Sequence, residues 1–224
     1  MKLRTLLLDV DGTLVDSNDK HTDCWVEAFA HFGKQVEWDT VRQQIGKGGD
    51  LLVPDTLNAL EMRRFGSEVQ KFRGELWKRD YMESVKPFPG IRESLETLHR
   101  RGLVLVLASS ANPEEVDYYV GLLGIETLIE GSTSKGDAEV SKPSPEIFEA
   151  ALDRVKADAV TSLVVGDTPY DVLAAHRVPV AVAAVRSGKF DPSLLAKAEF
   201  LFDDVNEMTA RIDEIDEYFA KANG

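Results

Sequence analysis

Across 224 residues the chain carries 39 aspartates and glutamates against 26 lysines and arginines, a formal charge of −13. That balance argues against a nucleic-acid or membrane-surface binder, which needs a basic face. A single cysteine, Cys24, rules out an intrachain disulfide and fits a reducing compartment, and the length is ample for a sizeable core.

Taken in order, Leu6-Leu7-Leu8 is a charge-free run of the kind that forms a parallel strand buried on both faces. It leads into Asp9-Val10-Asp11-Gly12-Thr13-Leu14. A strand tip running into a glycine turn leaves two carboxylates at the carboxyl edge of a sheet, where α/β proteins place ligands. Acids so close repel each other and need a cation, a shared proton or divergent environments. A lone Asp-x-Asp would serve equally as a helix cap plus a turn acid. No cleavable apolar segment precedes this strand, and nothing approaches the ~18 apolar residues of a membrane helix, so the expectation is a soluble, cytoplasmic protein.

Residues 16–84 change character. Cys24, Trp25, Ala28, Phe29 and Phe32 mark an amphipathic helix that Gly33 can stop, with the thiol in the core. Val69, Phe72 and Leu76 mark another, surrounded by Lys71, Arg73, Lys78 and Arg79. Strand-like alternation is absent, and Pro87, Pro89 and Gly90 make a stiff boundary. The reading is an α/β core of residues 1–15 and 85–224 with an all-helical cap at 16–84. Within the cap, Gly46-Lys47-Gly48-Gly49-Asp50 either brings amides and one ammonium to an anion or is a turn with Asp50 capping the next helix. His21 lies ten residues after Asp11, and among Lys20, Thr22 and Asp23 it reads equally as a solvated helix histidine.

After the cap, Ile91, Leu95 and Leu98 define a helix closed by Gly102, and Leu103–Ala108 reads as a second buried strand. Ser109-Ser110-Ala111-Asn112 then meets Pro113, which opens a helix, a setting that suits phosphate as well as a simple cap. In Lys142-Pro143-Ser144-Pro145-Glu146-Ile147-Phe148 the lysine is held in an extended loop. Ser162–Val165 is another buried strand, ending in Gly166-Asp167-Thr168-Pro169-Tyr170-Asp171. Strands at 180–185 and 200–202 and a terminal helix over 205–221 complete the chain, with Asp191, Asp203 and Asp204 as turn and capping acids.

Four of these stretches resemble, in order, the four motifs of the haloacid dehalogenase superfamily: Asp9-Val-Asp11-Gly-Thr-Leu, Ser109 at a strand end, Lys142 before Pro143, and Gly166-Asp167-x-x-x-Asp171. The resemblance implies a Rossmann-like parallel-sheet core with an inserted helical cap, similar to the subgroup holding phosphoglycolate phosphatases and β-phosphoglucomutases. It further implies a magnesium-dependent phosphatase that hydrolyses a small phosphomonoester through an aspartyl-phosphate. Asp9 is then the nucleophile and Asp11 the acid and base. Magnesium falls to Asp9, the backbone carbonyl of Asp11 and Asp167, with Asp171 orienting that group. Ser109, Ser110 and Lys142 bind the phosphoryl group, while Lys47 and His21 face the substrate. A phosphomutase of the β-phosphoglucomutase type would use the same residues, and His21 keeps that alternative open. The implied partner is a small phosphorylated metabolite, and the chain is a monomer or homodimer.

Overall fold

In the computed structural model, which describes residues 2–221, the leucine run forms β1 (Thr5–Leu8), buried along its whole length. A two-residue strand β2 (Val15–Asp16) leads to helices α1 (Asn18–His31), α2 (Trp38–Arg42), α3 (Gly49–Thr56) and α4 (Ala59–Leu76). The last continues through a π-helical turn at Trp77–Tyr81 to the two-residue strand β3 (Lys86–Pro87). The core then runs α5 (Ile91–Arg100), β4 (Val104–Ala108), α6 (Pro113–Leu123), β5 (Gly131–Thr133) and α7 (Glu146–Val155). It ends with β6 (Ser162–Gly166), α8 (Pro169–Arg177), β7 (Ala181–Val185), β8 (Phe200–Phe202), α9 (Val205–Ala210) and α10 (Ile212–Lys221).

Six strands make one parallel sheet in the order β5-β4-β1-β6-β7-β8. Leu6 and Leu8 enter one apolar layer with Leu95, Val116 and Ile215, while Leu7 enters the opposite layer with Phe148 and Val172. That alternation is the period of a strand covered on both faces, which is why the run carries no polar residue. The fold class is therefore α/β with a helical insertion after β1. The insertion has its own apolar centre of Trp25, Phe29, Ile45, Leu52 and Val69. Cys24 is buried, and burial pushes its thiol up to about 12, so it packs as a small hydrophobe.

Three local features differ from the sequence reading, the first being the three-residue edge strand β5, too short to show a period. The chain leaves and re-enters the core through an antiparallel ribbon, Val15 opposite Pro87 and Asp16 opposite Lys86, because two residues are too few to show a period. The terminal helix is broken at Arg211, whose guanidinium reaches back to Glu207 and forward to Glu214. Asp191 and Asp204 do cap their helical turns, and Asp203 pairs with Arg186. Among the described residues no helix is long and apolar enough to cross a membrane.

Candidate active site

The carboxyl ends of β4, β1 and β6 lie side by side, and the next residue along each is Ser109, Asp9 and Asp167 respectively. The connections run from β1 to β4 on one side and then return to β6 on the other, so the crevice opens at the switch point of the sheet. Gly12, at φ +77°, turns the chain sharply after Asp11; a Cβ there would stand 2.4 Å from an Asp167 oxygen. The turn thus folds flat against the β6 tip, and Thr13 Oγ1 reaches both Asp167 (3.1 Å) and Asp9 (3.4 Å).

Asp9, Asp167 and Asp171 are buried together, with one carboxylate oxygen of each within 4.8 Å of the others. Lys142 Nζ is the cation among them, 2.5 Å from Asp9 Oδ1 and 2.7 Å from Asp171 Oδ1. Asp171 is otherwise engaged by its own helix, accepting from the Thr168 amide and hydroxyl. Thr168, rather than Asp167, is therefore the cap of α8, which leaves the Asp167 carboxylate free to lie beside Asp9 and Asp171. Asp167 accepts only from neutral donors, Thr13 and Asn18 Nδ2 (2.8 Å). Burial and then the Asp9 and Asp171 charges raise its carboxyl well above the usual range. Burial also pushes Asp9 up to about 7, with Lys142 opposing and Asp171 and Asp11 adding to the rise. Burial works against the charge on Lys142, but Asp171 and Asp9 more than offset it and hold the ammonium above its ordinary value. With all three ionised, three carboxylates against one lysine leave a surplus of two negative charges, and it is the burial of this surplus that raises Asp9 and Asp167.

The Asp11 carboxylate belongs to a different group. Its Oδ1 accepts from Ser17 Oγ at 2.6 Å and contacts His21 Nε2 at 2.8 Å. Arg73 donates to His21 Nδ1, and a guanidinium has no lone pair to accept with. His21 Nδ1 is therefore the acceptor nitrogen, which puts the proton on Nε2 and makes His21 a donor to Asp11. With Oδ1 committed twice, Oδ2 is the oxygen left for an incoming group. Burial works to raise the Asp11 carboxyl, but His21, Ser17 and Arg73 overcome it and hold it below the usual carboxylate range. His21 is fixed by stacking on Trp77, ring centroids 3.7 Å apart, and Arg73 lies over the Trp25 and Trp77 rings. Trp77 opens the π-helical turn that follows α4.

A cavity of about 120 Å³ joins the two groups; Asp9, Asp11, Lys142 and Ser110 lie on the core side and His21, Lys47 and Arg73 on the cap side. The Ser110 hydroxyl is buried without a partner among the described residues, whereas Ser109 Oγ accepts from the Ala111 amide. Lys47 lines the cavity but pairs with Asp55 at 2.8 Å and lies over the Tyr170 ring. Asp50 does not cap α3. Its carboxylate accepts from the Ser141 amide (3.0 Å) and hydroxyl (2.6 Å), tying the glycine segment of the cap to the residue before Lys142.

Several contributors escaped the sequence reading: Ser17, Asn18, Arg73, Trp77, Glu115 and Gly188. Ser17 and Asn18 carried a faint signal as polar residues six and seven after Asp11, whereas Arg73, Trp77, Glu115 and Gly188 had none, because their partners are far along the chain. Gly188 has to be glycine, since a Cβ there would lie 1.7 Å from Asp167 Oδ2. Gly188→Ala is expected to displace Asp167 and cost about 1–3 kcal/mol, read as a lowered midpoint in thermal melts.

The chain has relatives among known proteins. The family pattern of haloacid dehalogenase-like hydrolases matches residues 6–185. Pyrophosphatase PpaX of Oceanobacillus iheyensis is 27% identical over 210 residues, covering 93% of this chain and 96% of that protein. A phosphoglycolate phosphatase of Pseudomonas fluorescens is 28% identical over 190 residues, 83% of this chain and 70% of its own. The crystal structure of a hydrolase from Pseudomonas syringae superposes with a TM-score of 0.86 at 24% identity, covering 95% of this chain and 99% of that one.

Proposed function

The chain belongs to the haloacid dehalogenase-like hydrolases, and from that premise we propose that it is a magnesium-dependent phosphatase acting on a small phosphomonoester. The observation that carries this reading is the buried trio Asp9, Asp167 and Asp171 with Lys142 as its single cation. A surplus of two negative charges, presented by hard carboxylate oxygens, fits one magnesium ion. Asp9 and Asp167, with the main-chain carbonyl of Asp11, would hold the ion, and Asp171 would brace Lys142 behind them. When bound, magnesium supplies charge neutralisation between carboxylate and phosphate.

The remaining chemistry belongs to the chain. Asp9 attacks phosphorus, so that a carboxylate–phosphorus bond forms as the bond to the ester oxygen breaks. In the substrate complex the charge of the phosphate dianion opposes the ionisation of Asp11. The protonated Oδ2 gives its proton to the departing alkoxide, since Oδ1 is occupied by Ser17 and His21. In the second half it takes a proton from the water that attacks the phosphoaspartate, which returns Asp9 and releases phosphate. Lys142 and the serines at the β4 tip bind the phosphoryl oxygens, and Ser110 brings an unpartnered hydroxyl. The cap, tied down through Asp50 and Ser141, excludes bulk water and selects the leaving group. The names of the relatives support phosphate chemistry, since both a pyrophosphatase and a phosphoglycolate phosphatase are among them.

Phosphate release from a panel of small esters is expected with magnesium and is expected to fall at least about 100-fold with chelator. Release indifferent to chelator would sink the metal assignment. A second reading, a phosphomutase, draws on the contact between His21 and Asp11. It would appear as isomerisation of a sugar phosphate that requires an added bisphosphate.

A further inference from the structure

Glu115 is a buried acid that the mechanism above does not use. It lies in the first turn of α6, on the core side of the cavity, and is 3% exposed. Its Oε1 has no hydrogen-bond partner among the described residues and lies 3.7 Å from His21 Nε2, the atom that donates to Asp11. A buried carboxylate oxygen held only by a 3.7 Å contact to His21, with no hydrogen bond of its own, is costly, and such an atom lining a cavity is placed for a donor that arrives from outside.

A metal ion is the wrong occupant. Asp11, His21 and Glu115 do cluster as a possible ligand set. However, Arg73 occupies His21 Nδ1 as a donor, so Nε2 carries the proton and has no lone pair for a cation. A cation is also partly present already, since Arg73 faces Asp11 and Glu115 through His21. Burial raises the Glu115 carboxyl, with His21 and Arg73 opposing that rise. When it is ionised, Asp11 and Glu115 against Arg73 leave one surplus negative charge where the leaving group must sit. A carboxylate or a second phosphate on the leaving group would add to that surplus, whereas a hydroxyl would meet an empty acceptor.

We propose that Glu115 is a specificity residue, accepting a hydrogen bond from a hydroxyl next to the ester carbon. The preferred substrates are then phosphate monoesters of small polyols or sugars, not of carboxylic acids. This rests on the phosphatase reading, and it names what the leaving-group side of that site selects. Asp11 serves the ester oxygen while Glu115 serves its neighbour, so both acids face one end of the same small alcohol.

Three esters of similar length separate the possibilities: glycerol 3-phosphate, propyl phosphate and phosphoglycolate. With magnesium present, the unmodified protein is expected to prefer glycerol 3-phosphate to each of the others by at least about 10-fold in kcat/KM. Glu115→Met keeps the volume but removes the acceptor, and should bring glycerol 3-phosphate down to the level of propyl phosphate. Glu115→Gln removes only the charge, and should raise phosphoglycolate relative to propyl phosphate. Propyl phosphate offers no donor, so its rate in each variant reports folding and each ratio is internal to one protein. Equal use of all three esters by the unmodified protein, or ratios unchanged in both variants, would overturn the assignment. Calorimetric binding of the same esters gives the ratios without turnover. If nothing is hydrolysed but the binding preference and its loss in Glu115→Met persist, the phosphatase reading fails and the Glu115 assignment stands; equal binding overturns Glu115.

Discussion

Asp9→Asn is expected to lower phosphate release by at least about 10³-fold and, in chelator, to raise the melting temperature. The two effects have one cause. Asp9 shares a buried space with Asp167 and Asp171, and Lys142 neutralises only one of the three carboxylates. Burial pushes Asp9 up to about 7, so keeping it ionised at neutral pH works against the fold. An amide of the same shape removes one repelling charge, and Lys142 stays paired with Asp171 at 2.7 Å. The same amide is a poor nucleophile and a weaker magnesium ligand. Thermal melts of both proteins, with magnesium and with chelator, read the stability side. The unmodified protein should gain several degrees from magnesium, and the variant much less. Near-normal turnover in Asp9→Asn would remove it as nucleophile, and a lower melting temperature in chelator would contradict the charge argument.

What the sequence made legible follows from where information is local. The leucines of β1, the Ala108–Ser109 step and the Gly166–Asp167 step are contiguous patterns. Their spacing alone puts three polar residues at strand ends, and the sheet order then brings those ends together. The residues that set the cap side of the cavity are of another kind. Arg73 reads as one of several bases around an exposed helix, yet it is turned inward because His21, 52 residues earlier, offers a lone pair between two tryptophan rings. Glu115 looks like an ordinary acid in a first helical turn, where the helix dipole favours one. Only the packing of α6 beneath the cap buries it. Gly188 shows nothing in its neighbours; its need for hydrogen in place of a side chain is set by Asp167, 21 positions away. Asp50 could be read as a cap for α3, and in the fold Ser141 takes that acid instead.

Lys142→Met should move stability in the opposite direction from Asp9→Asn. Methionine fills similar volume beside the Phe148 ring, so little packing is lost, but the only cation among three buried carboxylates goes. Removing one partner of a buried pair costs about 3–5 kcal/mol, because the remaining charge has neither water nor counterion. For a chain of this size that is roughly a 10 °C fall in melting temperature in chelator. The carboxylates can relieve part of the cost by taking up protons, so the fall should be larger at pH 8 than at pH 6. Magnesium should restore part of it by entering the same surplus of negative charge, even though phosphate release stays lost. The double variant Asp9→Asn/Lys142→Met makes the test sharp. If Lys142 exists to balance Asp9 and Asp171, removing Asp9 as well should make the lysine's loss cost less than it does alone. Additive losses would mean that the two side chains stabilise the fold independently, and the balance of charge at the β1 tip would not be what holds Lys142 there.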